Sequence, residues 1–480
     1  MTKEEKIVDR QTLTSLEGIR AVYLIGIGGI GMSAVARYFL SRGMSVSGYD
    51  RTETDLTKAL VQEGMSISYK DEDKDLPQVD LVVYTPAVPK DQAALVYYRE
   101  HNYRVVKRSD VLQAISAGSF NICVGGTHGK TTISTLIAHI LRHSGYGCNA
   151  FLGGISVNYH TNFWSSERNT AVIEADEYDR SFLKLSPDIA VITSMDADHL
   201  DIYGDERSLQ DAFVGFGNRL KEGGLLISKF GLKRIGEVKA GRKLTYSVQN
   251  DAADVFTRNI KMENGGYTYD VLNGEKELNG VSLRIGGMHN VENSLVAVAV
   301  AQSLQIDDDK IKAALADFKG VKRRFEYIVP PRPKEEGAYV QPVLIDDYAH
   351  HPEELRALLT SVRSLFPQRR ITVIFQPHLF SRTRDLADGF AASLSLADRV
   401  LLLPIYPARE QPLPGVTSQL ILDKVSTEDR LLLTKEELLN WMSAHVQHLD
   451  KTFGEVIVMA GAGDIDALVA PVEILIKKAW

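Results

Sequence analysis

A glycine-rich segment at residues 125–132, reading GGTHGKTT, constrains this chain more than any other feature. The apolar run 120–124 before it predicts a buried strand, and apolar residues at helical spacing after it predict a helix that Gly145 ends. A strand, a glycine turn and a helix opening with Lys130-Thr131 form a phosphate cradle, because backbone N–H groups and a helix N-terminus attract phosphate. The segment therefore predicts ATP binding, with a simple connecting turn as the alternative.

The loop is one residue shorter than the standard phosphate-binding pattern, since Val124 stands where that pattern has its first glycine. Lys130 is predicted to reach the outer phosphates, and Thr131 is predicted to hold Mg²⁺. The predicted nucleotide contacts of the loop are Gly126, Thr127, His128, Gly129, Lys130, Thr131 and Thr132.

Length and composition narrow the class of protein. A chain of 480 residues predicts about three domains. The net charge of −7 argues against nucleic acid as the main partner. The charged start lacks the apolar segment of a signal peptide, and no apolar run approaches the ~18 residues of a membrane helix. With only Cys123 and Cys148, both interpreted as small buried hydrophobes, these features predict a cytoplasmic protein.

Strands and helices alternate along the chain, which predicts an α/β fold with parallel sheets covered by helices. We predict a Rossmann-like domain at 1–118, a central ATPase-type domain with a parallel sheet at 119–322 and a second Rossmann-like domain at 323–480. The Pro- and charge-rich stretch 330–337 is interpreted as an early loop of the third domain. The predicted strands are 21–25, 45–49, 80–84, 120–124, 171–173, 189–193, 343–345, 371–375, 399–403 and 456–460, and the predicted helices include 30–40 and 291–304.

A second glycine loop follows the first predicted strand. Its spacing is that of a dinucleotide fingerprint, with Asp50 about 20 residues on and suited to a ribose hydroxyl. Such loops bind NAD, FAD or a diphosphate, or merely form a tight turn. We favour diphosphate binding, because the nucleotide loop at 125–132 already accounts for ATP. The residues concerned are Gly26, Gly28, Gly29, Ile30 and Gly31.

Acidic residues follow two strands of the central domain. The cluster 174–179 comes directly after an apolar strand, where carboxylates suit Mg²⁺, and Glu174 is the predicted ligand. The segment 193–201 contains His199 among three aspartates. Taken alone, His199 fits a metal ligand and an ion-paired structural histidine equally well. The acidic cluster 174–179 makes the metal-ligand interpretation the stronger one.

Three further segments carry polar side chains of catalytic type. His289 and Asn293 lie at i and i+4 on one helix face and suit an adenine edge, although capping by Asn290 is the alternative. The segments 346–352 and 375–384 follow strands of the third domain and suit an anionic substrate. Arg324, in the segment 322–325, is placed to reach the γ-phosphate when domains close, whereas an isolated arginine pair is ordinarily solvated surface.

Together these segments resemble the Mur ligases of peptidoglycan synthesis, and among them the members that attach L-alanine to UDP-N-acetylmuramate. The likeness covers nearly the whole chain, with all motifs in family order. The motifs are GIGGIGM (26–32), GTHGKTT (126–132), EADE (174–177), DADHLD (196–201), HNxxN (289–293), RRF (323–325), DDYAHHP (346–352) and FQPHxxxRT (375–383).

The resemblance implies an amide ligase that uses ATP and Mg²⁺ and forms an acyl phosphate. It implies domains for the UDP moiety, ATP and the amino acid, in that order, and no NAD. The loop 26–31 with Asp50 would hold the UDP substrate, His289 and Asn293 the adenine, and Asp347 the ribose. Thr131, Glu174 and His199 would serve Mg²⁺. The residues expected at the substrate carboxylate and alanine are Tyr348, His350, His378 and Arg382.

Catalysis would then depend on Lys130, Glu174, His199, Arg324, His350 and His378, with His350 or His378 accepting the amine proton. We expect a monomer or weak homodimer that closes at hinges near 119 and 323. No nucleic acid partner and no membrane insertion are expected.

The sequence departs from the Mur ligase pattern at two points, and three rival functions remain. No lysine lies between His199 and Lys221, so no carbamylated lysine is expected. Leu379 stands where arginine often follows the Gln-Pro-His segment, which leaves Arg382 or Arg384 to hold the anion. The rivals are a recycling ligase that attaches a tripeptide, an NAD-dependent oxidoreductase and a nucleotide-gated binding protein.

Overall fold

The computed structural model describes residue 13 and residues 15–196, 200–332, 340–408, 410–449 and 451–480. His199, and residues 333–337 of the Pro-rich stretch, lie outside the described residues. Besides the strands and α-helices given below, short 3₁₀ helices span Ser181–Lys184, Ile235–Glu237 and Asp464–Leu468.

The N-terminal region forms a parallel sheet of five strands. Its strands are β1 (Ala21–Ile25), β2 (Ser45–Tyr49), β3 (Ser66–Ser68), β4 (Leu81–Tyr84) and β5 (Val105–Lys107), and its helices are α1 (Ile30–Ser41), α2 (Asp55–Gln62), α3 (Ala93–Glu100) and α4 (Arg108–Ala117). The strand order is β3-β2-β1-β4-β5. The order reverses beside β1, and open α/β sheets bind ligands at such a point, beyond the carboxyl ends of the strands.

The central sheet has ten strands. They are β6 (Phe120–Gly125), β7 (Asn149–Ser156), β8 (Thr161–Trp164), β9 (Thr170–Glu174), β10 (Ile189–Ile192), β11 (Leu225–Lys229), β12 (Arg242–Ser247), β13 (Val255–Glu263), β14 (Gly266–Asn273) and β15 (Lys276–Leu283). The helices of this region are α5 (Lys130–His143), α6 (Leu200–Tyr203), α7 (Glu206–Gly217), α8 (Met288–Ser303) and α9 (Asp308–Asp317). The order is β15-β14-β13-β12-β11-β10-β6-β9-β7-β8, with β7 and β8 antiparallel. The sheet is therefore mixed, and the prediction of a purely parallel sheet was wrong at this edge.

The C-terminal sheet has six strands in the order β16-β17-β21-β18-β19-β20, in which only the edge strand β16 is antiparallel to its neighbour. The strands are β16 (Glu326–Val329), β17 (Val343–Asp347), β18 (Arg370–Phe375), β19 (Arg399–Leu402), β20 (Arg430–Leu432) and β21 (Glu455–Ala460). The helices are α10 (Pro352–Leu365), α11 (Phe380–Asp385), α12 (Ala387–Leu394), α13 (Gln419–Leu422), α14 (Lys435–His445) and α15 (Val469–Ala479).

Every strand and helix predicted from periodicity is confirmed, with ends that move by a few residues. Among the strands that periodicity left out, β3, β5 and β8 have only three or four residues, which carry little pattern. The fold is thus α/β with three sheets, as predicted.

The chain divides into two compact units. One comprises Met1–Thr257, Val271–Glu277 and Asn293–Ala314, and the other comprises Arg258–Asp270, Leu278–Glu292 and Leu315–Trp480. Within the first unit a single apolar core is continuous from the N-terminal sheet to the central one: it includes Leu24 of β1, Phe39 of α1 and Phe151 of β7. The predicted boundaries at 118/119 and 322/323 remain predictions.

Cys123 and Cys148 are free, fully buried thiols, which confirms their interpretation as small hydrophobes. Burial raises the pKa of both thiols, that of Cys148 to about 12. Within the described residues, every helix is too short or too polar to cross a membrane.

Candidate active site

The phosphate loop joins β6 to α5 through two glycines with positive φ. Gly126 has φ 134° and Gly129 has φ 81°, conformations that L-residues with side chains rarely adopt. A Cβ on Gly126 would lie 2.0 Å from Oγ1 of Thr193, so the close approach also requires glycine. The first turn of α5 starts at Lys130, which turns the N–H groups of a 14-residue helix toward the loop.

Lys130 is held by two acceptors inside the loop. Its Nζ donates to the carbonyl oxygen of Gly126 and to Oε1 of Glu177, each at 2.7 Å. Burial raises the pKa of Glu177, and the ammonium of Lys130 opposes that rise. Glu177 belongs to the acidic cluster 174–179, but only Glu174 of that cluster was predicted as a functional residue, so this partner of Lys130 was missed.

Thr131 and Glu174 meet beside the loop. Oγ1 of Thr131 donates to Oε1 of Glu174 at 2.9 Å, and the N–H of Gly153 donates to Oε2 at 2.9 Å. The pairing of β6 with β9 places Glu174 opposite Val124, so the two strand ends coincide. Two of the three predicted metal-binding residues are therefore together, and His199 lies outside the described residues. Among described residues, no group of three or more His, Cys, Asp or Glu side chains is arranged as a metal cage.

The residues after β10 brace the other side of the loop. Oγ of Ser194 lies 2.7 Å from Oγ1 of Thr127 and accepts the N–H of His128 at 2.9 Å. The Thr193 hydroxyl donates to the carbonyl oxygen of His128. Thr132 and Thr127 are buried, whereas the His128 side chain is exposed. The predicted loop residues thus form one hydrogen-bonded structure.

The N-terminal glycine loop has its own internal support. The N–H of Gly28 donates to Oδ2 of Asp50 at 2.7 Å, and Gly26 has φ 81°. A Cβ on Gly28 would lie 2.6 Å from Cγ2 of Thr57 and 2.8 Å from the Asp50 carboxylate. One carboxylate oxygen of Asp50 therefore holds the loop, and its predicted contact with a ribose remains a prediction.

A cavity of about 290 Å³ lies between this loop and Glu174, the carboxylate that accepts the Thr131 hydroxyl. Its lining includes Gly29, Ile30 and Gly31 on one side and Glu174 on the other. Arg108, the first residue of α4, also lines it, and its Nη2 lies 3.6 Å from Oδ2 of Asp176. Arg108 was not predicted as a site residue, although it directly follows β5 and therefore lies at the carboxyl end of a parallel strand, where ligands bind.

Asn293 also lies against the phosphate loop. A Cβ on Gly129 would approach Oδ1 of Asn293 to 3.1 Å. His289, on the same helix, is an exposed residue, and desolvation by neighbouring protein, followed by the positive charge of Arg324, lowers the pKa of its ring. His289 is therefore neutral near pH 7. Asn290 donates from Nδ2 to the carbonyl oxygen of Gly286 at 2.6 Å. This contact is not the N-cap acceptance that the alternative interpretation required.

In the second unit, two aspartates end β17. Asp347 accepts the N–H groups of Phe325 and Ala349, each at 2.7 Å, while burial raises its pKa to about 6. Burial also raises the pKa of Asp346, to about 7, although Nε of Arg323 lies 3.6 Å from its Oδ2. These carboxylates organise the 323–349 region, and the predicted contact of Asp347 with a ribose is untested.

His378, His350 and Arg382 come together in the same unit. The rings of His350 and His378 are 6.2 Å apart, and the His378 ring stacks on Tyr406 at 5.7 Å. Burial, then the charge of Arg382, lowers the pKa of His378. Buried Nδ1 of His378 and Nη1 of Arg382 have no hydrogen-bond partner among the described residues. Tyr348 is exposed, with the Arg323 guanidinium 5.1 Å from its ring centre.

Leu379 has φ 72°, an uncommon conformation for a branched side chain. Its N–H donates to the carbonyl oxygen of Tyr406 at 2.9 Å. The Tyr406 ring also stacks on the His378 ring. The hydrogen bond between Leu379 and Tyr406 therefore orients the His378 imidazole. Such outliers concentrate at functional sites.

Three family models match successive parts of the chain. A Mur ligase family catalytic domain matches residues 21–119, a Mur ligase middle domain matches 124–301 and a Mur ligase glutamate ligase domain matches 323–465. The chain belongs to the Mur ligase family. Within this Mur ligase, the first two models contain the two glycine loops, and the third contains the His378 cluster.

Individual relatives resemble this Mur ligase over nearly its whole length. The UDP-N-acetylmuramate–L-alanine ligase of Cytophaga hutchinsonii is 44% identical, covering 97% of this chain and 99% of its own. That of Parabacteroides distasonis is 46% identical, covering 96% and 98%. The crystal structure of UDP-N-acetylmuramate-alanine ligase MurC from Thermotoga maritima has a TM-score of 0.77 at 27% identity, covering 96% and 99%.

Proposed function

We propose that this Mur ligase joins L-alanine to the carboxylate of UDP-N-acetylmuramate at the expense of ATP, in the cytoplasmic synthesis of peptidoglycan precursors. The L-alanine specificity is supported by the near full-length relatives, which carry that activity in their names. The chemistry is supported by one observation in particular: the cavity beside Glu174 is continuous with the glycine loop 29–31. A substrate whose diphosphate binds that loop reaches Glu174, the hydrogen-bond partner of Thr131, without leaving the cavity.

The reaction starts with a carboxylate, which is too unreactive to form an amide directly. A carboxylate oxygen of UDP-N-acetylmuramate attacks the γ-phosphorus of ATP and ADP leaves, which gives an acyl phosphate. The amine of L-alanine then attacks the acyl carbon, and phosphate leaves as the amide forms. Lys130 and Arg324 offset the charge on the transferred group, since catalysis of this kind depends on positioning and electrostatics.

Mg²⁺ fits the oxygen ligands beside the loop. A threonine hydroxyl and one carboxylate match its usual site, in which phosphates and water complete the coordination. Thr131 and Glu174 would hold the ion, with His199 as a further proposed ligand. When bound, Mg²⁺ would neutralise negative charge on the phosphates.

We assign the amine proton to His378 rather than to His350. A general base must be neutral before it accepts a proton, and burial lowers the pKa of His378 below the usual 6.5. Its Nδ1 has no hydrogen-bond partner among described residues. His350 has Nδ1 2.9 Å from the carbonyl oxygen of Tyr348, which favours donation from that nitrogen and leaves Nε2 as its accepting nitrogen.

The other predicted contacts belong to the same proposal. We assign the UDP moiety to 1–118, ATP to 119–322 and the amino acid to 323–480. Because one apolar core is continuous across residue 119, we assign closure to the hinge near 323, where it would shield the acyl phosphate from water. His289 and Asn293 are assigned to the adenine and Asp347 to the ribose. The residues assigned to the substrate carboxylate and alanine are Tyr348, His350, His378 and Arg382.

Phosphate release tests the proposal directly. The purified chain is mixed with ATP, Mg²⁺ and UDP-N-acetylmuramate, and L-alanine, glycine, L-serine or the L-Ala-D-Glu-diaminopimelate tripeptide is added in turn. Release that requires L-alanine and disappears in Lys130→Ala supports the proposal. Release with the tripeptide alone would replace it with the recycling reaction, and release independent of the sugar nucleotide would overturn it.

A further inference from the structure

Asn162 is a fully buried amide on β8, at the antiparallel edge of the central sheet. Its Nδ2 donates to the carbonyl oxygen of Ile30 at 2.5 Å and to Oγ of Ser33 at 3.0 Å. Its Oδ1 accepts from Nη1 of Arg37 at 2.5 Å. All three partners lie on α1, the helix that begins at the glycine loop.

The amide is part of a larger set of contacts, here called the clamp, which is formed by Asn162, Arg37, Glu63, Phe163 and Tyr38. Arg37 is buried, and its Nε and Nη2 bind the carboxylate of Glu63 at 2.6–3.1 Å. Beside Asn162, the ring of Phe163 packs on that of Tyr38 with centroids 6.2 Å apart. A buried amide without a hydrogen-bond partner is costly, so the geometry of the fully buried Asn162 amide is strongly specified.

The position of the clamp relates the two loops of the site. Ile30 is the first residue of α1 and lines the cavity that also contains Glu174. β8 pairs with β7, whose Gly153 binds the Glu174 carboxylate. The amide thus connects the start of α1, through one hairpin, to the carboxylate beside the phosphate loop.

We propose that Asn162 is a positioning residue that fixes the distance between the diphosphate-binding loop and the phosphoryl-transfer groups. This inference rests on the proposed function, in which one substrate has its diphosphate at the first loop and its carboxylate at the second. A displacement of about 1 Å between such groups lowers the rate about 10²-fold. Asn162 touches no reacting atom and acts through Ile30.

The test compares Asn162→Asp with Glu63→Gln. The aspartate keeps the acceptor for Arg37 but replaces the donor to Ile30 with a carboxylate oxygen that repels the carbonyl. The glutamine removes the charge of the outer partner and leaves every contact of Asn162 in place. Both variants are expected to lower Tm, whereas only the aspartate is expected to change catalysis.

The readouts are Tm, KM for each substrate, kcat, and the Kd of UDP alone by calorimetry. Asn162→Asp should lower kcat/KM for UDP-N-acetylmuramate about 10²-fold, while KM for ATP and Kd for UDP stay within about twofold of wild type. Equal kcat/KM values in both variants and wild type would overturn the inference, because the amide would then be merely structural. If Asn162→Asp fails to fold, Asn162→Ser is measured in the same way.

The proposed function is judged separately, on the wild-type chain. If wild type releases phosphate only with L-alanine, the function holds whatever the variants do. If wild type does not turn over, the function fails before any variant is compared, and the inference fails with it.

Discussion

The ammonium of Lys130 forms an ion pair with Glu177 across 2.7 Å, and both side chains are largely buried. The same ammonium donates to the carbonyl oxygen of Gly126. The carbonyl oxygen of Glu177 in turn accepts the Tyr203 hydroxyl at 2.6 Å. The position of the phosphate-loop lysine therefore depends on the segment after β9 as well as on the loop itself.

We expect Glu177→Gln to lower kcat about ten- to 100-fold, because a hydrogen bond to a charged group contributes about 1.5–3 kcal/mol. The glutamine preserves shape but removes the charge that orients Lys130. Steady-state phosphate release measures the change. Exposed Glu167→Gln is the control and should match wild type. A Glu177→Gln enzyme with wild-type kcat and ATP KM would contradict this role.

Substituting Gly126 should abolish nucleotide binding. In Gly126→Ala the new Cβ meets Oγ1 of Thr193 at 2.0 Å, so the loop must move. Gly145→Ala is the matched control: its φ is +80°, but nothing lies within 4 Å of the Cβ. The control should cost about 1–2 kcal/mol of stability and leave ATP affinity unchanged. Calorimetric titration with ATP separates the two, and a wild-type ATP affinity in Gly126→Ala would contradict this prediction.

The pH dependence of kcat should respond to Arg382. Its charge helps to lower the pKa of His378, so Arg382→Gln should raise that pKa toward 6.5. Since His378 must be neutral to accept the amine proton, the acid limb of the profile should move to higher pH. The measurement requires saturating L-alanine, because the variant also loses a proposed carboxylate contact. Arg384→Gln, exposed and paired with Asp385, should leave the limb unchanged.

Asp346 should make stability fall as pH rises. Its folded pKa is about 7, above the ordinary 3.8, so its stabilising contribution is complete below pH 3.8 and is lost as pH rises to 7. The difference between these two pKa values corresponds to about 4 kcal/mol in the free energy of unfolding, at 1.36 kcal/mol for each pH unit. Asp346→Asn should reduce the fall of the free energy of unfolding between pH 4 and 7, and the fall that remains up to pH 6 belongs to Asp347, whose pKa is also raised.

Urea denaturation at several pH values measures that slope. The neighbouring charges of Arg323, Glu326, Asp347 and Asp466 remain in the variant and reduce the size of the effect. Exposed Asp309→Asn is the control and should reproduce the wild-type slope. Parallel curves for Asp346→Asn and wild type would show that Asp346 is not the titrating group.

The sequence predicted the parts of the site that depend on strand ends. Glu174 is the first charged residue after an apolar run, which marks the end of strand β9. The parallel pairing of β9 with β6 then places Glu174 beside the phosphate loop. The lysine and glycines of the loop have fixed spacing, so a local pattern identifies them without knowledge of packing.

The sequence could not predict contacts that depend on tertiary geometry. Four carboxylates lie between 174 and 179, and only the path of the backbone after β9 decides that Glu177 meets Lys130. Arg108 follows a three-residue strand, too short for periodicity to reveal. Asn162 lies in an antiparallel hairpin at a sheet edge that was predicted to be parallel, so no motif pointed to it.

The two buried thiols have a practical consequence. Cys123 and Cys148 are the only cysteines of the chain, and thiols with raised pKa values and no exposure react slowly with labels. A cysteine introduced on the surface of either unit would therefore be the dominant site of modification. The natural chain is already suited to paired fluorophores, and the proposed closure can be followed as a change in energy transfer without first removing native residues.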